Sequence, residues 1–174
     1  MLNNCLYFSG SLKGVTMNSK IAQLQQRNAQ ARLQQRYAFL NIADIQSTDG
    51  DIARRFVDSG IYRTARPAAA VFPFHQNGII DHPFRQVQHQ AARAEMVHRV
   101  RALLADTAWI SLEENGFGFW ARISLPALQA ALDHWFEQHD DFGLYLENGY
   151  ALAIHDAEYE WELLEMPGRP LEAT

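Results

Sequence analysis

Carboxylates and histidines are the side chains here that could do chemistry: Asp and Glu total 20 and histidines 7. Three acidic groups, Glu113-Glu114, Asp140-Asp141 and Glu158/Glu160/Glu162, could supply paired carboxylates for acid–base work. Such catalysis needs partial burial to move a carboxyl pKa towards neutrality. Side chains on a strand alternate between faces. Tyr159, Trp161 and Leu163 therefore read as a buried face, and Glu158, Glu160 and Glu162 as a row of carboxylates on the solvent side. The histidines (His75, His82, His89, His98, His134, His139 and His155) form no HExxH and no zinc spacing with a Cys or carboxylate, so no metal or cofactor is expected. His155-Asp156 could serve as half of a catalytic dyad, but no GxSxG elbow supplies a nucleophile, and Cys5 lies far away at the terminus. No Cys-x5-Arg phosphate loop and no glycine-rich nucleotide loop occur; Gly116 and Gly118 belong to a hairpin. The chain reads as a non-enzyme.

The elements that must position these groups follow from periodicity and turn chemistry. Asn18 to about Leu40 reads as a Gln-rich helix with a narrow docking stripe of Ile21, Leu24, Leu33, Tyr37 and Leu40. Ser47-Thr48-Asp49-Gly50 reads as a turn with a capping side chain, feeding a short helix that packs Ile52, Phe56 and Val57 and stops at Gly60. Residues Ile61–Phe84, punctuated by Pro67, Pro73, Asn77-Gly78 and Pro83, form a long connection with short strands at Ala70–Phe74 and Gly78–Ile80. Gln86–Ala105 is a helix whose apolar face carries Val87, Ala91, Ala94, Met96, Val97, Val100, Leu103 and Leu104.

Thr107–Glu113 and Phe117–Ile123 flank Asn115-Gly116 as a hairpin. Ser124 caps a helix with Pro126 in its first turn and Leu125, Leu128, Leu132, Trp135 and Phe136 on its packing side. A second hairpin turns at Asn148-Gly149, between Leu144–Glu147 and Tyr150–His155, and the chain reverses again near Asp156-Ala157. The expected fold is α+β, an antiparallel sheet of hairpins packed against helices on one face.

Composition narrows the class. With 174 residues, 48% of them hydrophobic, a single domain can bury a core without disulfides. Residues 17–174 are read as that domain, and residues 1–16 as a weakly ordered extension before a natural start at Met17. The lone Cys5 suits a reducing, cytoplasmic compartment, and no apolar run is long enough to cross a membrane. Residues 1–106 carry a net charge of +6 and residues 107–174 a net charge of −11. Arg54, Arg55, Arg63 and Arg66, with the arginines of the 86–105 helix, could face a phosphate backbone. They read instead as partners of the acidic half, so no direct nucleic-acid binding is expected. The acidic half with its aromatics suits a basic protein partner.

The stretch from Asp141-Phe142-Gly143-Leu144-Tyr145-Leu146 through Asn148-Gly149, Ala153-Ile154-His155-Asp156 and Tyr159-Glu160-Trp161-Glu162-Leu163 resembles the C-terminal meander of small bacterial immunity proteins. These accompany polymorphic or contact-dependent inhibition toxins. The resemblance covers residues 107–166, and it implies a cognate toxin with a basic surface, a nuclease being one candidate, as the partner. Glu113, Glu114, Glu158, Glu160, Glu162 and Trp161 are the expected partner-binding residues. Two alternatives stay open: a hydrolase using carboxylates and a histidine such as His155, and an adaptor dimerising through Asn18–Leu40.

Overall fold

A computed structural model describes residues 19–62, 68–76, 79–80, 82–138 and 142–168. The expected extension at residues 1–16 lies outside them. Thr107–Glu114 (β5) and Phe117–Ser124 (β6) form the longest hairpin, with Asn115 and Gly116 both at positive φ. That is the backbone a tight right-twisted turn demands. Asp44–Ser47 (β1) pairs with β6 on the outside, and Gly143–Tyr145 (β7) pairs with β5 on the inside. Ala151–Asp156 (β8) and Glu160–Met166 (β9) follow, and Ala70–Pro73 (β2) closes the far edge. The result is a seven-stranded antiparallel sheet in the order β1-β6-β5-β7-β8-β9-β2, with a separate ribbon of His75–Gln76 (β3) and Ile79–Ile80 (β4).

Three long helices cover one face: Ser19–Arg36 (α1), His82–Ala102 (α3) and Leu125–Gln138 (α4). Leu33, Tyr37, Met96, Val100, Leu128, Leu132 and Trp135 meet Ile110, Phe119, Ile123, Leu152 and Leu163 there in one apolar cluster. Ser124 Oγ accepts the Ala127 N–H at 3.3 Å, the expected cap of α4. The fourth helix, Asp51–Asp58 (α2), lies on the opposite face, where Ile52 and Phe56 pack with Trp109, Trp120, Tyr145 and Leu164, whereas Val57, expected beside them, is turned into solvent one residue past Phe56. Gly143 makes room for it: a Cβ there would stand 3.4 Å from Phe56 Cζ and 3.1 Å from Ser111 Oγ.

Several local expectations are corrected. Gly50 stands at the N-cap of α2 without a capping side chain; Gln46 Oε1 instead accepts the Ile52 N–H at 3.2 Å. On α1 the buried stripe is Ala29, Leu33 and Tyr37, at spacings of one helical turn, so Ile21 and Leu24 are rotated into solvent. On α3 the buried stripe is Ala92, Met96 and Val100, and Val87, Ala91, Ala94 and Leu104 are exposed. Met96 and Val100 are buried and Val97 and Leu103 pack against the core as expected, so the expected face is right at its centre and too wide at its flanks, where small alanines and Val87 extend the apolar pattern. At Asn148-Gly149 only Gly149 has positive φ; its N–H donates to Leu146 O at 2.9 Å, and Asn148 Oδ1 accepts the Tyr150 N–H at 3.0 Å. The connection is a longer loop with a left-handed glycine rather than the two-residue turn, because Asn148 spends its side chain on its own backbone.

Both sheet edges are blunted. Phe74 N–H donates to Tyr159 O at 3.0 Å, so by the period of two Val71 and Pro73 direct their backbone outward, where proline has no N–H to offer. On β1, Asp44 Oδ1 takes the Ile45 N–H at 2.8 Å, and Ser47 O accepts the Gly50 N–H at 2.9 Å.

Candidate functional site

Strand alternation and register decide where each candidate carboxylate points. Ala108, Ile110 and Leu112 face the long helices, and Glu114 continues that row. It is buried at 4% exposure, its Oε2 2.8 Å from Arg36 Nη1 in an ion pair without an aligned hydrogen bond. Glu113 faces the other way and is exposed. On β9, Trp161, Leu163 and Glu165 face α3, and Glu160 and Glu162 face the α2 side, half-buried. Glu158 stands in the β8–β9 turn at φ 57, not in the strand. Its carboxylate holds the Tyr159 phenol by a hydrogen bond, which raises that pKa above the ordinary tyrosine value.

The register brings part of the acidic set to one end of the sheet. Ile110 is level with Leu144, Leu152 and Glu165 through successive pairings. Three residues along antiparallel strands from that level stand Glu113 and Glu162, on the same face, with His155 of β8 opposite Glu162. Three inter-strand steps separate the two glutamates, about 14 Å. Glu160 follows in β9, opposite Pro73, and Glu158 in the turn beyond. Asp49 joins this end from the β1 side, next to Thr48, whose Cγ2 crowds Gly118 opposite Glu113. The Ser47 hydroxyl hydrogen-bonds the Asp49 carboxylate and holds its pKa below the ordinary range.

Among the described residues no cation pairs with Glu113, Glu160 or Glu162. The nearby arginines of α2, Arg54 and Arg55, are held by Asp51 at 3.9 and 2.7 Å. His155 is exposed, its ring 5.9 Å from that of Tyr62.

Two of the six expected residues thus leave the set. Glu114 is an internal ion-pair partner, and Trp161, 8% exposed, packs beneath α3 against Phe74 and His89. Period two running from Ala108 through Leu112 carries the signal that Glu114 is internal. Asp49 is the acidic residue that sequence reasoning passed over as part of a turn. The His155-Asp156 dyad does not assemble: successive strand residues point to opposite faces, and Asp156 pairs with Arg85 on the α3 side. No group of three or more potential metal ligands occurs among the described residues.

The architecture defines an α+β protein, and no helix among the described residues is long and apolar enough to cross a membrane. Comparison with protein-family models, with curated proteins and with solved structures gives no match.

Proposed function

We propose that this chain is a non-catalytic immunity protein that binds a cognate bacterial toxin domain and blocks its substrate site. The observation that carries the reading is the cluster of unpaired carboxylates at one end of the sheet: Glu113, Glu160 and Glu162, flanked by Glu158 and Asp49. Glu114, Glu165 and Asp156 are each paired with an arginine, whereas no such partner stands at these positions among the described residues, where Glu113 is exposed and Glu160 and Glu162 are half-buried. Electrostatic complementarity of this kind speeds encounter with a basic surface and selects against acidic ones. A nuclease cleft, built to hold phosphates, is one such surface. The resemblance of residues 107–166 to immunity proteins points the same way.

Expressing the toxin domain encoded beside this gene, with and without this protein, tests the role by cell survival. Survival restored by the wild type and lost with Glu113→Lys/Glu160→Lys/Glu162→Lys, folded by circular dichroism, supports the proposal. Killing that continues despite abundant folded wild-type protein overturns the role. Protection that survives the triple reversal overturns the acidic interface.

A further inference from the structure

We propose that the cleft between α3 and β9, on the helix-covered face, binds a small oxyanion, a carboxylate or phosphate group. The site is independent of the acidic sheet end. The cleft encloses about 320 Å³ and is lined by His82, Arg85, Gln86, His89 and Trp161. None of these side chains is acidic, and every one carries an N–H group. Two of those donors have no acceptor among the described residues and are shielded from solvent: Arg85 Nε and the Trp161 indole Nε1. Trp161 is itself more than nine-tenths buried. The great majority of buried N–H groups in folded proteins are satisfied, so two in one cleft call for an acceptor.

Arg85 is the movable part. Its guanidinium rests 5.1 Å above both the Phe74 and Trp161 rings, and its Nη2 is engaged by Asp156. The arginine side chain is 35% exposed and the aspartate 40% exposed. Asp156 therefore acts as an internal anion that holds Arg85 over the indole. An entering oxyanion competes with Asp156 for the guanidinium, draws it off the ring and brings its own oxygens to Nε and to the Trp161 N–H. Charge-assisted bonds to a planar guanidinium favour a carboxylate or phosphate over a spherical ion.

The test follows the indole N–H signals of the four tryptophans in 1H–15N spectra of the full chain, with Trp161 assigned by Trp161→Phe. Sodium phosphate and sodium acetate are titrated separately through the millimolar range, with sodium chloride at matched ionic strength as the control. A saturable displacement of the Trp161 signal alone is expected, and the anion that saturates at lower concentration names the ligand class. Asp156→Asn removes the competing carboxylate and should tighten the apparent Kd about tenfold, whereas Arg85→Gln should weaken it by at least about tenfold. Because Asp156 is well exposed, its variant keeps the test decisive if Arg85→Gln fails to fold. No saturable displacement with either anion, an equal displacement with chloride, or an Asp156→Asn affinity no tighter than wild type overturns the proposal.

Discussion

The Arg36 guanidinium stands 2.8 Å from Oε2 of Glu114, tying the last turn of α1 to the last residue of β5. The carboxylate is buried and the arginine is half in water, so the two partners are not equivalent. Losing Arg36 leaves an uncompensated buried charge; losing Glu114 leaves an arginine that water can solvate. Arg36→Met should therefore cost about 1–3 kcal/mol, and Glu113→Gln, one residue from Glu114 but on the solvent side, less than about 0.5 kcal/mol. Urea unfolding of both variants checks this; equal costs would mean that the Arg36–Glu114 pair contributes nothing.

Gly143 is the socket for Phe56. A methyl group there would lie 3.1 Å from Ser111 Oγ, 3.3 Å from Trp120 Cη2 and 3.4 Å from Phe56 Cζ. Gly143→Ala should destabilise by about 1–3 kcal/mol through overpacking, and Phe56→Ala by about 3–5 kcal/mol through the cavity it opens. Because both act on one contact, the double variant should fall short of the sum, which denaturant titration of all three proteins measures.

Alkaline unfolding should report on Tyr150. Its burial, and then its hydrogen bond to Glu165 at 2.8 Å, push the phenol well above the ordinary tyrosine value. The folded state thus holds a proton that the unfolded chain loses near pH 10, so this contribution is whole below about pH 10 and lost as pH rises towards the folded pKa. Tyr150→Phe removes that slope. The wild type should lose stability above about pH 10 faster than Tyr150→Phe in urea unfolding across that range; parallel curves would refute the assignment.

The parts of this fold legible in the sequence were those set by local chemistry. Asn115-Gly116 fixed a hairpin because both residues adopt positive φ at little cost, and the alternation around Trp161 buried that ring and Leu163 as expected but not Tyr159, which precedes the strand and is exposed. β1 was not legible: Asp44-Ile45-Gln46-Ser47 contains one apolar residue, and its extended form comes from pairing with β6. The side of the sheet that α2 covers was equally hidden, since period two says which residues share a face and not what covers it. For the candidate site, Glu160 and Glu162 on one face followed from β9 alone. Their alignment with Glu113, three strands away, depends on register that no single segment encodes.

In the proposed immunity role Trp161 distinguishes a folding residue from a toxin-binding one. It is buried under α3 beside Phe74 and His89, so Trp161→Ala should cost about 3–5 kcal/mol and reduce any protection only by depleting folded protein. If the protein is the proposed immunity protein, the variant assayed at matched concentrations of folded protein should inhibit the toxin as fully as wild type, which an inhibition titration corrected by circular dichroism decides.

Glu158 separates stability from function in the opposite sense. A glutamate at φ 57 pays for a left-handed conformation that glycine or asparagine adopts more readily, and nothing in the turn's hydrogen bonding requires a carboxylate there except its own bond to the exposed Tyr159. Backbone strain at an exposed charged residue is accounted for, in the proposed immunity role, by Glu158 contacting the toxin. Glu158→Gly should therefore raise folding stability, by about 0.5–1 kcal/mol after the extra chain entropy glycine brings to the unfolded state, while weakening protection against the toxin. Thermal unfolding and the survival assay on the same variant give the two readings. A stabilised protein that protects as well as wild type would remove Glu158 from the interface and leave its strain without a functional account.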